Sequence, residues 1–396
     1  MKTIWTIEPR DPLVIRDGRP FGPVPGAVAH ALSFPFPSTT SGALRTREGL
    51  GPDGRFDPNQ IERVLEISVR GPLLVELDGS GEIARWYAPA PADAVLLGGA
   101  KSERIRLRRL VPLKFPEGMD SDLPKELSPV GMSRLDPSKP YSHASRFWCW
   151  SALEEWLVNP SDREGVHPSE LGIGELPLDS RVHVSIQPET LTGAEGMLFR
   201  VEGREFLVLE EPQKFSRFRR LALALEAETS QVKPGVAPMA GERRVVFWRK
   251  SQRPLPSPPA GLIDRIAQEK ACRVILLTPA EFQKGWKPSQ LLQPKEGVSP
   301  SLVGAVVARP EVVSGWSFKD NRPKPTRRLA PAGSVYFLKL EGESEAIQQW
   351  AEKLWMRSVS DTEHAARDGF GLAVLGTWNG KLEFLTREES DDEKAS

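Results

Sequence analysis

The sequence predicts an α+β protein of two domains, and three observations carry that expectation. At 396 residues the chain is long enough for two ordinary cores. Short β-branched and aromatic runs recur along it with few helical patterns between them. Its 37 prolines are unevenly placed, so several segments read as long loops that separate units. The division falls after Glu210-Glu211-Pro212, giving a domain over 1–211 with an insertion near 112–140, a second over 212–386 and a charged tail over 387–396.

Taken in order, residues 3–7 (TIWTI) read as a strand, 8–12 (EPRDP) as a turn and 13–15 (LVI) as a second short run. After PFPSTTSG comes a helix near 41–48, then a helix-to-strand passage over 61–77. The segment 112–140 is rich in Pro, Ser and Asp and reads as a loop insertion. Ser151 and Glu154 fit a capping box for a helix that must stop at Asn159, because Pro160 follows. Strands are expected over 181–186, 203–209, 219–225 and 243–248. Leu262, Ile263, Ile266 and Ala267 recur at helical spacing before an apolar strand over 273–277. A strand over 334–340, a helix carrying Ile347, Trp350, Ala351 and Leu354 on one face, and a strand over 371–378 complete the pattern.

Composition narrows the function classes. Lys+Arg and Asp+Glu both number 53, so any basic surface has to be local. Cys149 and Cys272 stand far apart, which argues against a disulfide framework or a cysteine-rich zinc site and for a reducing cytoplasm. No signal-like N-terminus and no apolar run of about 18 residues is present, so neither export nor a membrane span is expected.

Enzyme signatures fail in context. Residues 49–54 (GLGPDG) match G-x-G-x-x-G, yet they follow a helix and contain a proline. The phosphate-loop, metalloprotease, nucleophile-elbow and zinc-deaminase patterns are missing. None of the five histidines has a second ligand at metal-binding spacing. His30, beside a turn-rich loop, is the one candidate for acid-base chemistry.

Basic clusters are more informative. In KSERIRLRR (101–109), Arg104, Arg106 and Arg108 alternate with Ile105 and Leu107, which suits either a partner surface or a charge-protected edge strand. KDNRPKPTRR (319–328) places Lys319, Arg322, Lys324, Arg327 and Arg328 in a proline-stiffened loop that can track phosphates. Arg10, Arg16, Arg19, Arg45 and Arg47 are interleaved with Phe21, Phe34 and Phe36, a mixture suited to single-stranded RNA or else to an aromatic core. Near the C-terminus, Asp368-Gly369-Phe370-Gly371 lies between a helix and a strand. Glycine there permits positive φ and close approach, as a phosphate-cradling loop requires.

Five collinear blocks, IEPRDPLVIRDGRPFG, PFPSTTSGALRT, RVHVSIQPETLTGAEGMLF, SGWSFKDNRPKPTRRLAPAGSVYFL and GFGLAVLGTW, resemble the family of subunit 3 of the Cmr effector, the type III-B CRISPR ribonucleoprotein. The insertion over 112–140 matches none of them. The resemblance implies a protein of the RAMP superfamily, with two ferredoxin-like, RRM-like domains and a C-terminal glycine-rich loop. It implies a non-catalytic subunit that holds the 5′ repeat-derived handle of the CRISPR RNA in antiviral defence, and no cofactor is expected. It would dock with the large polymerase-like subunit and other RAMP subunits of the complex. Arg16, Arg19, Arg45, Lys324, Arg327, Arg328, Arg367 and the loop Gly369, Phe370 and Gly371 are then expected to face one groove. In that loop Gly369 and Gly371 would approach phosphates while Phe370 anchors the turn in the core. The alternatives are a metal-independent CRISPR-precursor endonuclease of the same fold, with His30 as general base, and a purely structural bridging subunit.

Overall fold

In a computed structural model, which describes residues 2–19, 21, 25–99, 104–115, 118, 121–209, 218–317 and 322–386, the chain is α+β, mostly sheet with few helices. Lys101, Lys319, the expected boundary at 211/212 and the tail over 387–396 lie outside the described residues.

The apolar run at the N-terminus becomes β1 (Lys2–Pro9), a strand with five consecutive buried residues. There follow α1 (Pro37–Glu48), β2 (Val69–Leu77), β3 (Ile83–Pro89) and α2 (Trp150–Val158). A ribbon, β4 (Leu178–Ile186) and β5 (Gly193–Arg204), precedes β6 (Phe218–Glu228) and β7 (Arg244–Ser251). Helix α1 starts earlier than its apolar pattern implies because Pro37, with φ already helical, takes its first turn.

Strand β6 lies between β1 and β2 and is antiparallel to both, with Leu223 opposite Ile7 on one side and Leu74 on the other. Hence β1 and β2 are parallel, linked through α1 and separated by β6, which is a split β-α-β unit. On its far side β1 pairs with β7, Ile7 opposite Trp248. Short strands extend this sheet to nine among the described residues. Strands β6 and β7, assigned from the sequence to the second domain, therefore complete the first sheet. Without them β1 and β2 would present unpaired edges. The two large sheets divide the chain between Ser251 and Ala271, beyond the boundary expected at 211/212.

The second sheet repeats the arrangement. Its elements are α3 (Leu262–Glu269), β8 (Ala271–Leu276), β9 (Ser299–Val306), the short β10 (Arg327–Leu329) outside the sheet, β11 (Val335–Glu341), α4 (Ser344–Leu354), α5 (Glu363–Asp368) and β12 (Leu372–Thr377). Strand β8 sits between β11 and β12, Val274 opposite Tyr336 and Leu375, and is antiparallel to both. Strands β11 and β12 with α4 thus form a second split β-α-β unit, and β9 flanks β11.

Alternation along the strands directs the core. Trp5, Leu74, Leu223 and Trp248 pack with Leu44 of α1 on one face of the first sheet. Ile4, Val75 and Ala222 point to the other face and join one buried cluster with Val274, Phe337 and Ile347 of the second unit. The expected capping box is not formed. Helix α2 begins at Trp150, and Glu154 accepts a hydrogen bond from the Trp150 indole at 2.9 Å instead. Part of the 112–140 insertion lies along the outer edge of β9, where Ser128 N–H donates to Val303 O at 2.7 Å. The insertion thereby covers part of an otherwise open sheet edge.

One buried ion pair crosses this shared core. Arg273, in the middle of β8 and 1% exposed, pairs with Asp93 and donates to Thr377 O at 2.9 Å and Trp156 O at 2.6 Å. Asp93 also accepts from the Trp156 indole at 2.9 Å. Removing one partner of such a pair leaves a buried charge, at about 3–5 kcal/mol. We expect Arg273→Met to lose that much in urea unfolding, and Arg273→Met with Asp93→Asn to recover part of it. A double variant no more stable than the single one would contradict this account.

Candidate nucleic-acid interface

The glycine turn is built from α5 outward. Thr362 caps this short helix by accepting from Ala365 N–H at 3.3 Å, and Gly369 ends it in the left-handed region with φ +98°. Gly371 also has positive φ, +75°. The three turn N–H groups donate to protein carbonyls: Gly369 to Ala366 at 3.2 Å, Phe370 to Ala365 at 3.0 Å and Gly371 to Pro279 at 2.8 Å. A Cβ at Gly369 would overlap the Gly71 carbonyl oxygen of β2, and one at Gly371 would lie 2.7 Å from the Ser360 backbone nitrogen. The close approach anticipated from the glycines is therefore real, but the neighbour is protein backbone. As a cradle for phosphate the turn is corrected: Gly369, Phe370 and Gly371 are buried and their donors are used. Phe370, 0% exposed, anchors the turn among Phe36, Val313, Leu329 and Ala365.

That apolar cluster brings the N-terminal and C-terminal blocks together, but several of the expected cations serve the fold. Arg45 of α1 is buried, pairs with Asp368 and donates to Ile67 O at 2.8 Å and Arg367 O at 3.3 Å, so its charge is consumed internally. Arg367 is held by Glu66 and Glu363, each at 2.7 Å. Arg327 pairs with Glu281 at 2.7 Å and lies over the Phe370 ring, 5.0 Å from its centroid. Arg104, Arg106 and Arg108 are likewise tied down, to Gly165 O, to Ser138 and Asp136, and to Asp136 and Glu164. The partner-surface reading of that strand thus gives way to an ion-pair network centred on the buried Arg108 and on Asp136, which the 112–140 insertion supplies.

Helix α1 is fixed at its C-terminal end by Glu48. Its buried carboxylate accepts from Ser230, Gln231 and Val232 N–H and from Arg63. Burial pushes this carboxyl up, but the hydrogen bonds from the Gln231 and Ser230 backbone and from Arg63 outweigh it and hold the group below its ordinary range.

Four of the expected cations, Arg16, Arg19, Lys324 and Arg328, remain in contact with solvent. Lys324, half-buried, and Arg328, exposed, come from the segment leading into and forming β10. His364 lies near Lys324 and Arg327: burial, with Lys324, Arg327 and Arg45, lowers its pKa against the opposing pull of Asp368. Arg16 and Arg19 are exposed at the root of the β4–β5 ribbon, with Arg19 paired to Asp17 at 3.1 Å. Arg16 lies over Phe21 at 5.3 Å, Phe21 meets Phe199 edge-on at 5.9 Å, and Phe199 stacks on His183 at 5.3 Å and 15°. His183 and Phe199 stand opposite each other in the ribbon register. They were not singled out from sequence, although both sit in the third of the quoted blocks, because pairing register is not written in one strand. Nearby, His30 lies 3.4 Å from Glu202. Among the described residues no group of three or more potential metal ligands occurs, and no helix is long and apolar enough to cross a membrane.

The family model described as CRISPR-associated protein (Cas_Cmr3) matches residues 5–378. The chain belongs to this CRISPR-associated family. Two solved structures that it resembles are chains of the Type III-B Cmr-beta, one bound to cognate target RNA and one bound to cognate target RNA and AMPPnP in state 1. The first is 13% identical with a TM-score of 0.43, the second 12% identical with 0.40; each match covers 84% of this chain and 86% of the other. No curated protein matches the chain.

Two outcomes are expected for this chain. Gly369→Ala and Gly371→Ala each place a side chain at positive φ against backbone, so each should destabilise the fold by about 1–3 kcal/mol or more. Unchanged thermal unfolding of the double variant would show that the turn tolerates a Cβ. For Glu48 the folded pKa lies below the unfolded one, so its stabilisation is full above the unfolded value and is lost as pH falls through the folded value. Glu48→Gln should therefore lower stability near neutral pH and flatten the acid limb of the stability profile; an acid limb parallel to wild type would count against it.

Proposed function

We propose that this chain is a non-catalytic subunit of a type III-B CRISPR ribonucleoprotein, made of two ferredoxin-like RAMP units, that holds the 5′ repeat-derived handle of the CRISPR RNA. The row Arg16, Phe21, Phe199 and His183 carries this reading, because it sets an unneutralised guanidinium beside stacked rings, the combination that single-stranded RNA engages. Family membership and the split β-α-β unit in each large sheet support it. Arg16, Arg19, Lys324 and Arg328 would meet phosphates, while Arg45, Arg327, Arg367 and the Gly369–Gly371 turn would hold the surface in shape. Docking with the large polymerase-like subunit and other RAMP subunits would use surfaces such as the ribbon face carrying Val182, Val184 and Leu198, which are 65%, 42% and 55% exposed.

One observation favours the endonuclease as a second reading: His30 beside Glu202 forms a candidate acid-base pair next to the same row. Incubating the chain with labelled repeat RNA in EDTA separates the two. We expect retarded, uncut RNA, with log affinity falling against log salt by about 0.7 per phosphate neutralised. Arg16→Ala with Phe199→Ala should weaken binding about tenfold or more. Cleavage abolished by His30→Ala would establish the nuclease instead, and a salt-independent affinity would sink the electrostatic account.

A further inference from the structure

The 112–140 insertion and the loop around Trp286 enclose an apolar cleft of about 640 Å³, within the roughly 300–1,000 Å³ range of small-ligand sites. Leu127 and Val130 of the insertion line it, as do Val307 and Ala308 beyond β9. Trp286, 38% exposed, and the exposed Arg328 line it too. The Arg328 side chain has no hydrogen-bond or ion-pair partner among the described residues. Adjacent residues of a strand face opposite sides: Arg327 is committed to Glu281 and the Phe370 ring, while Arg328 borders the cleft.

We propose that this cleft receives one unpaired nucleobase, stacked on the Trp286 indole, with its phosphate on the Arg328 guanidinium. The inference rests on the RNA-binding reading above. An apolar wall excludes a phosphate but accepts the face of a base, and a half-exposed indole is a stacking platform for any base. An apolar peptide fits the chemistry less well, since it would cover Arg328 without supplying an anion. A single nucleotide supplies both parts.

The test measures affinity of the full chain for a short single-stranded RNA, for an abasic ribose-phosphate oligomer of equal length, and for uridine monophosphate. Trp286→Ala removes the stacking ring, and Ala308→Trp fills the cleft without changing charge. We expect both to weaken RNA about tenfold while leaving the abasic oligomer unaffected, and Arg328→Ala to weaken both ligands. Saturable nucleotide binding that Ala308→Trp abolishes would identify a free nucleotide as an occupant; an effect confined to the oligomer would identify a base of the RNA chain. If both cleft variants bind RNA as wild type does while Arg16→Ala still weakens it, the cleft is not a base site and the RNA reading survives. The same holds if they lose only assembly with another protein chain. If wild-type chain binds neither RNA nor the abasic oligomer, the cleft proposal and the RNA reading fall together.

Discussion

The close approach of the Gly369 turn to the backbone of β2 is the constraint on which the rest of the arrangement depends. A Cβ at Gly369 has nowhere to go, because the carbonyl oxygen of Gly71 already occupies its place. With glycine there, α5 can end against the first sheet, and Asp368 can reach Arg45 of α1. Phe370 then enters the cluster that also holds Phe36 at the start of α1 and Leu329 of β10. The first split β-α-β unit and the basic strand are thus fastened at one point. Arg327 completes the fastening, lying over the Phe370 ring while paired with Glu281. Its neighbour Arg328 is left facing outward.

The strands and helices were largely legible in the sequence because their apolar spacing is local information. β1, β8, β11 and β12, with α3 and α4, all lie where β-branched runs or helical spacing put them. Pairing was not legible. β6 looks like the start of a new unit along the chain, and only hydrogen bonding to β1 and β2 reveals it as the strand between them. The glycines of the turn were recognised as sites of close approach, and Phe370 as an anchor, but no sequence pattern says whether the approaching backbone is protein or nucleic acid. Arg45 was misread for a related reason. A helical arginine next to polar residues looks solvent-facing until Asp368, more than three hundred positions away, is seen beside it.

Neutral net charge takes on a specific meaning in this light. Many arginines that look free along the chain are matched to carboxylates across the fold: Arg273 to Asp93, Arg108 to Asp136 and Glu164, Arg367 to Glu66 and Glu363. Arg273–Asp93 and Arg108–Asp136, buried on both sides, act in low dielectric and hold their segments in register, whereas Glu164, Glu66 and Glu363 are exposed and their pairs are screened by solvent. Cations without an acidic partner, such as Arg16 and Arg328, are what a polyanion would sense. The paired but exposed Arg19 stands between these cases, since a surface ion pair of this kind is worth about 0–1 kcal/mol and exchanges readily for a phosphate.

The 112–140 insertion shows how an irregular segment can serve both fold and surface. Its Ser128 N–H satisfies Val303 O on the edge strand β9, and its Asp136 neutralises Arg106 and Arg108. An edge left bare would invite pairing with another chain, and a bare arginine strand would present a second basic face. Covering both removes one sheet edge and one run of arginines from the bare surface. The same covering segment raises one wall of the apolar cleft beside Arg328. An apolar recess therefore opens next to the basic strand as a consequence of protecting a sheet edge, and this proximity is what gives the recess a physical reason to accept a base rather than an apolar side chain.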